Sequence, residues 1–161
     1  MQIYLLRHGI AEDAAPGRPD SERPLTSEGR EKLRRVLERA RSADTAPSVI
    51  LSSPYKRAVE TSTVAAEVLG YEHQVVNVPS LVPEGSPEEV WQEIRRRPNE
   101  RAILLSSHEP LMSTMTAFLL DSPALLVDMK KAALVRLDCE RLGVRPKGIL
   151  KWMLTPGVCL E

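Results

Sequence analysis

Cysteine, histidine and long apolar runs are all scarce in this chain, and each scarcity narrows what it can be. Of 161 residues only two are cysteines, Cys139 and Cys159, and they show no C-x-x-C spacing. A clustered-thiol metal site is therefore not expected, and both read as reduced thiols. No run approaches the length needed to span a membrane. The opening segment MQIYLLRHG has too short an apolar stretch for a secretory signal, and Arg7 interrupts it. The expectation is a cytoplasmic chain with no membrane partner. Charge of one sign is also missing: 22 Lys plus Arg balance 22 Asp plus Glu. No net positive field is available to hold nucleic acid or an anionic membrane, so any cluster of arginines must act locally. There is no internal repeat, low-complexity tract or linker, and 161 residues with 42% hydrophobic content are expected to form one domain, residues 1–161.

What is present alternates. Strand-like runs at 2–6, 48–52, 74–78 and 101–106 are separated by helical patterns, the signature of an α/β fold with a largely parallel sheet covered on both faces. The first helix starts near Thr26 and buries Leu33, Val36, Leu37 and Ala40, spaced i, i+3, i+4 and i+7. The second is expected to have Ser53 as N-cap and Pro54 at its first position, to bury the stripe Tyr55, Val59, Ser62, Ala66 and Leu69, and to stop at Gly70. A third begins near Ser86-Pro87 and ends in Arg95 to Arg97, which read as a solvated, dipole-matched end. The fourth, about 110–120, carries Leu111, Met112, Met115, Phe118 and Leu119, too apolar a set to face water. Two further runs, 132–138 and 149–154, joined through Gly143 and Gly148, are expected to pair as an antiparallel edge.

Two of the three histidines stand just beyond strand ends. His8 follows the first strand within Arg7-His8-Gly9, and His108 follows ILLSS (103–107). Open α/β sheets bind ligands at the C-terminal ends of their strands, and Gly9 lets the backbone turn and approach a bound group. A neutral imidazole can attack phosphorus if its attacking nitrogen is deprotonated and its other nitrogen is held. Arg7 beside His8, and Arg57 in the first turn of the second helix, would grip phosphate oxygens through forked donors and disfavour the imidazolium of His8. Arg57 also sits where a helix N-terminus already favours an anion. His108 would donate to a phosphate oxygen and stabilise the transferring group. His73 reads as an exposed surface histidine, and Glu109 as a helix-entry carboxylate near the rim.

The residues LRHG (6–9), SSPYKRAVETS (52–62) and SHEP (107–110) resemble the histidine phosphatase superfamily, also called phosphoglycerate mutase-like. DSERPLTSEGR (20–30), Leu81-Val82-Pro83 before a helix and KKAALVRL (130–137) are similar to its short phosphohistidine phosphatase branch, the SixA-like proteins. The likeness covers nearly the whole chain. It implies a three-layer sandwich and a catalytic set of His8, Arg7, Arg57 and His108, with Arg7, Arg57 and His108 binding phosphate and no metal or cofactor. Larger members use a glutamate near position 84 as general acid, which makes Glu84 the fifth candidate. Many relatives have glycine where this chain has Ser107, and an acidic residue where it has Ile10. Asp20, Arg23 and Thr26 read as loop and cap structure, not catalysis.

The leading expectation is a metal-independent phosphatase that removes phosphate from phosphohistidine on a protein, such as a phosphotransfer domain, through a phospho-His8 intermediate. A small-molecule phosphomonoesterase with Glu84 as general acid is the alternative. A phosphosugar mutase is disfavoured, because about thirty residues between Gly70 and Arg101 leave little for a cap. A non-catalytic phosphohistidine binder would not require a nucleophilic histidine.

Overall fold

A computed structural model describes residues 1–159. Its strands are β1 (Gln2–Arg7), β2 (Val49–Ser52), β3 (Val76–Asn77), β4 (Ala102–Ser107), β5 (Leu134–Asp138) and β6 (Ile149–Leu154). The helices are α1 (Ser27–Ser42), α2 (Lys56–Leu69), α3 (Pro87–Arg95) and α4 (Leu111–Leu119), with 3-10 turns at Asp20–Glu22, Pro79–Leu81 and Pro156–Val158. One six-stranded sheet runs in the order β3-β2-β4-β1-β5-β6. The first four are parallel, and β5 and β6 form the expected antiparallel edge. Among the described residues no helix is long and apolar enough to cross a membrane.

The period-2 geometry of a strand divides the core between two faces. Ile3 and Leu5 of β1, with Ile103 and Leu105 of β4, pack with Trp91, Ile94, Met112 and Met115 of α3 and α4. Tyr4, Leu6 and Leu104 pack on the other face with Leu33, Val36 and Leu37 of α1 and Ala65 and Val68 of α2. Burying each such large apolar side chain contributes about 1.5–3 kcal/mol, which fixes the register. A one-residue slip would exchange the two faces of a strand.

The first helix begins as its sequence implies. Thr26 caps it by accepting from the Gly29 amide at 2.9 Å, and the four expected apolar residues are buried. The second departs from expectation in two ways. It starts at Lys56, with extended Tyr55 as N-cap. Ser53 cannot serve as the cap because its hydroxyl lies 2.7 Å from the His108 ring and accepts from the Tyr55 amide at 3.2 Å. Of the expected stripe Ser62 and Leu69 are buried, but Tyr55, Val59 and Ala66 are only half-buried, and Ala58, Thr61, Ala65 and Val68 complete the inward face. Packing on both the sheet and α1 selects that face. Gly70 ends the helix in the left-handed region, at φ 71°. The arginines closing α3 are also less uniform than expected. Arg95 donates to the Leu142 carbonyl at 3.1 Å, and Arg97 to Glu93, so only Arg96 is exposed.

This topology positions the site. β4 lies between β2 and β1, with Arg7 opposite Ser107 and Ser52 opposite Ser106. The amides of His8 and Ser53 continue the ladder to Ser107 and Ser106, each at 2.9 Å. Three chain segments, led by Ser53, His108 and His8, therefore leave the sheet side by side.

Candidate active site

His8 is 6% exposed and its Nδ1 lies 2.7 Å from the Gly9 carbonyl oxygen. A carbonyl only accepts, so Nδ1 carries the proton and Nε2 keeps its lone pair. Burial is the main cause that pushes the ring down to about 4, against the Gly9 hydrogen bond, with Arg57, Arg7 and Lys131 lowering it further. The arginines expected from sequence to hold His8 neutral thus act in the right direction but are secondary to desolvation. At neutral pH the ring is uncharged.

Gly9 is held by its amide, which donates to Thr61 Oγ1 at 3.2 Å, while the Thr61 hydroxyl donates to the Arg57 carbonyl at 2.7 Å. Packing leaves little room for a side chain here. A Cβ at Gly9 would stand 3.2 Å from the Gly29 carbonyl oxygen, and one at Gly29 only 2.3 Å from that of Ile10. The start of α1 thus presses directly on the loop that carries His8.

Arg57, 4% exposed, turns inward from the first turn of α2. Its Nε donates to His8 Nε2 at 3.3 Å, a long contact that an approaching electrophile can replace. Nη1 and Nη2 donate to the Asp20 carbonyl oxygen at 2.8 Å and to its carboxylate at 3.1 Å. Glu60, one turn further along α2, does not pair with Arg57; it binds Arg30 and the Leu25 amide. Asp20, read from sequence as loop structure, is thereby attached to the site. Slight burial would raise its carboxyl, but hydrogen bonds from Arg23 and Arg57 hold it below the usual range.

His108 is 1% exposed, and its ring centroid is 5.1 Å from that of His8. Nε2 meets Ser53 Oγ at 2.7 Å, and Nδ1 is buried with no partner among the described residues. Burial, reinforced by His8 and Arg57, pushes this imidazole down to about 3. Such an unpaired buried polar atom costs about 1–3 kcal/mol until something binds it. Arg7, half-buried, donates from Nη1 to the Met129 carbonyl at 2.8 Å, and its buried Nε is likewise unpartnered.

Glu84 is not drawn into this group. It is exposed and makes no hydrogen bond or ion pair among the described residues. Its loop is nonetheless close-set, since a Cβ at Gly85 would fall 2.0 Å from the Ser80 carbonyl oxygen. Ser107, the departure from the glycine of many relatives, anchors that neighbourhood by donating to the Leu81 carbonyl at 2.6 Å. Glu109 accepts from the Ser113 amide at 2.7 Å, supporting the start of α4, and His73 is exposed against Tyr71.

A family profile, the histidine phosphatase superfamily (branch 1), matches residues 3–81 and so takes in both the His8 and the Arg57 segments. An uncharacterized protein of Picosynechococcus is 32% identical over 141 residues, 85% of this chain and 84% of that one. The chain belongs to the histidine phosphatase superfamily. It is similar over 97% of its length to phosphohistidine phosphatase SixA of Escherichia coli, at 26% identity and 94% coverage of that protein. A structure of the protein histidine phosphatase SixA complexed with tungstate matches at TM-score 0.84, with 24% identity, over 98% of this chain and 99% of that one. A phosphoserine phosphatase of Entamoeba histolytica matches at TM-score 0.70 with 14% identity, over 96% and 97%. The fold is thus that of the phosphoglycerate mutase-like histidine phosphatases, and the superfamily supports hydrolase chemistry on phosphate.

Proposed function

We propose that this histidine phosphatase removes the phosphoryl group from phosphohistidine on a protein, in two steps, using its own side chains without a metal. The supporting observation is His8 itself: Nδ1–H tied to Gly9 and the Nε2 lone pair directed to where Arg57 Nε lies at 3.3 Å. In the first step Nε2 attacks phosphorus in line, the new N–P bond forms, and the substrate's N–P bond breaks. The departing imidazole takes the electron pair of that bond and leaves neutral, because its other ring nitrogen already carries a proton in the substrate. Water then attacks phospho-His8, the Nε2–P bond breaks, and phosphate departs while the water's proton passes to solvent. Arg7 and Arg57 neutralise the equatorial oxygens. With the Ser53 hydroxyl donating to His108 Nε2, the unpartnered Nδ1–H is the donor for a further oxygen.

An imidazole leaving group needs no acid delivered by the enzyme, whereas an alkoxide does. The phosphohistidine reading therefore does without Glu84, whereas the ester reading needs it as the acid. The direct test compares phosphate release from a phosphohistidine-bearing protein and from p-nitrophenyl phosphate at equal enzyme concentration, with no metal added. Much faster loss from phosphohistidine is expected. Preference for the ester would move the assignment to a phosphomonoesterase. Glu84→Gln is expected to leave phosphohistidine turnover within about twofold, well short of the 100-fold or more that a general acid typically contributes. A loss of that size on an alkyl phosphate would establish the acid role.

Asp20 bears on the same reading, because its carboxylate takes a donor of Arg57 that a phosphate oxygen would also claim. Asp20→Asn keeps the carbonyl contact and removes the competing charge. Inorganic phosphate is expected to inhibit this variant several-fold more tightly, since an ion pair whose carboxylate is open to water is worth up to ~1 kcal/mol. Weaker inhibition would mean that Asp20 only orients the guanidinium.

A further inference from the structure

Beside the histidine site, between the end of β1 and the turn Pro156–Val158, lies a cleft of about 630 Å³. Arg7, Lys32, Lys130 and Lys131 line it, against Ile10 and Pro156, and every charged residue in its lining is cationic. In a chain whose 22 cations and 22 anions balance, this is a local concentration of one sign. Such a cleft focuses its field on an approaching anion.

Two of the lysines have internal partners: Lys32 pairs with Glu28 and Lys130 with Asp128, each at 2.9 Å. Both carboxylates are well exposed, so these pairs are weak and an incoming anion can replace them. Lys131 is exposed and makes no ion pair among the described residues. The loop carrying Lys130 and Lys131 is fastened to the histidine site. Ala132 donates its amide to the His8 carbonyl at 3.0 Å, the Arg7 amide donates to the Ala133 carbonyl at 3.0 Å, and the Arg7 side chain holds the Met129 carbonyl. Ala132 adopts φ 63°, a left-handed conformation that disfavours a residue with a Cβ. The bonds to His8 and Arg7 maintain that strained turn, and with it the placing of the lysines.

We propose that this cleft is a substrate subsite that takes an acidic segment of the phosphorylated protein, flanking its phosphohistidine, with Arg7 shared between phosphate and cleft. The inference rests on the phosphatase reading above. Lysines suit this occupant because they are flexible point charges without the fixed fork of arginine, so they accept carboxylates in varied geometry. The side chain of Lys130 is 66% exposed, which puts its charge at the rim, where a protein surface arrives, rather than in an enclosing floor.

The test uses the double variant Lys32→Gln/Lys131→Gln at pH 8, where His8 is neutral in both proteins. Its substrates are a histidine-phosphorylated phosphotransfer domain with acidic residues around the histidine, the same domain with those residues changed to amides, and phosphoramidate. The variant is expected to raise KM for the acidic domain about tenfold with kcat retained, and to flatten its salt dependence. It should leave phosphoramidate and the amide domain unchanged. An unchanged KM for the acidic domain would overturn the subsite, as would an equal loss on all three substrates. A matching KM rise for a small bisphosphorylated ester would assign the cleft to a free polyanion and overturn the protein occupant. If wild type turned over neither phosphoramidate nor either domain, the phosphatase reading itself would fall.

Discussion

His8→Asn is expected to lower phosphate release by on the order of 10⁵-fold to 10⁶-fold, the size of effect seen when a covalent nucleophile is removed. Asparagine can still donate to the Gly9 carbonyl that now receives Nδ1–H, so the loop should keep its shape. The measurement is a single turnover with a labelled phosphohistidine protein, quenched in alkali, where an N–P bond survives. Wild type should carry the label and the variant should not. A labelled variant would move the nucleophile elsewhere, with His108, 5.1 Å away between ring centroids, the first place to look. The wild-type pH profile offers a second check. Burial holds His8 at about 4, so lowering the pH places a proton on Nε2 only near that value. The acid limb of kcat/KM is therefore expected near pH 4, well below the 6.5 of an unperturbed imidazole. A limb near 6.5 would contradict the buried, neutral ring.

Arg57→Ala is expected to cost about 100-fold to 1000-fold in turnover, the usual loss for one preorganised donor to a transition-state oxygen. Three contacts disappear together: one to His8 and two to Asp20. Stability should change little by comparison, because the Asp20 side chain is 59% exposed and water can solvate its freed carboxylate. The ion-pair contribution is therefore ~1 kcal/mol or less. Arg57→Lys separates charge from geometry, since lysine restores a cation but not the fork that reaches His8 and Asp20 at once. Partial recovery is expected in the lysine variant. A thermal melt read with the kinetics identifies the alternative: near-wild-type turnover in a folded alanine variant would remove Arg57 from the phosphate site.

Both variants probe residues that are legible in the amino-acid sequence, and the reason is local. Arg7, His8 and His108 each sit at the end of an apolar run, and the end of a strand in an open α/β sheet is where ligands bind. Arg57 is marked by its place in the first turn of a helix. The buried face of α1 and the β5–β6 edge are similarly readable, because side-chain periodicity and turn glycines act within a few residues. Where a local signal competes with a distant one, the sequence misleads. Ser53 has the composition of an N-cap, yet its hydroxyl belongs to His108, 55 residues away. The buried face of α2 keeps Ser62 and Leu69 of the stripe its own spacing suggests but is centred on Ala58, Thr61, Ala65 and Val68, because it is chosen by α1 and the sheet together.

Sequence alone thus carries the α/β alternation, the family motifs and the strand-end positions of Arg7, His8 and His108. It took the folded chain to bring Asp20 onto Arg57 across 37 residues, to leave Glu84 exposed, and to gather Lys32, Lys131 and Pro156 into one cleft with Arg7. The division has a physical cause: periodicity and capping are properties of neighbouring residues, whereas these contacts exist only once β4 has inserted between β2 and β1 and the sheet register has set their ends side by side.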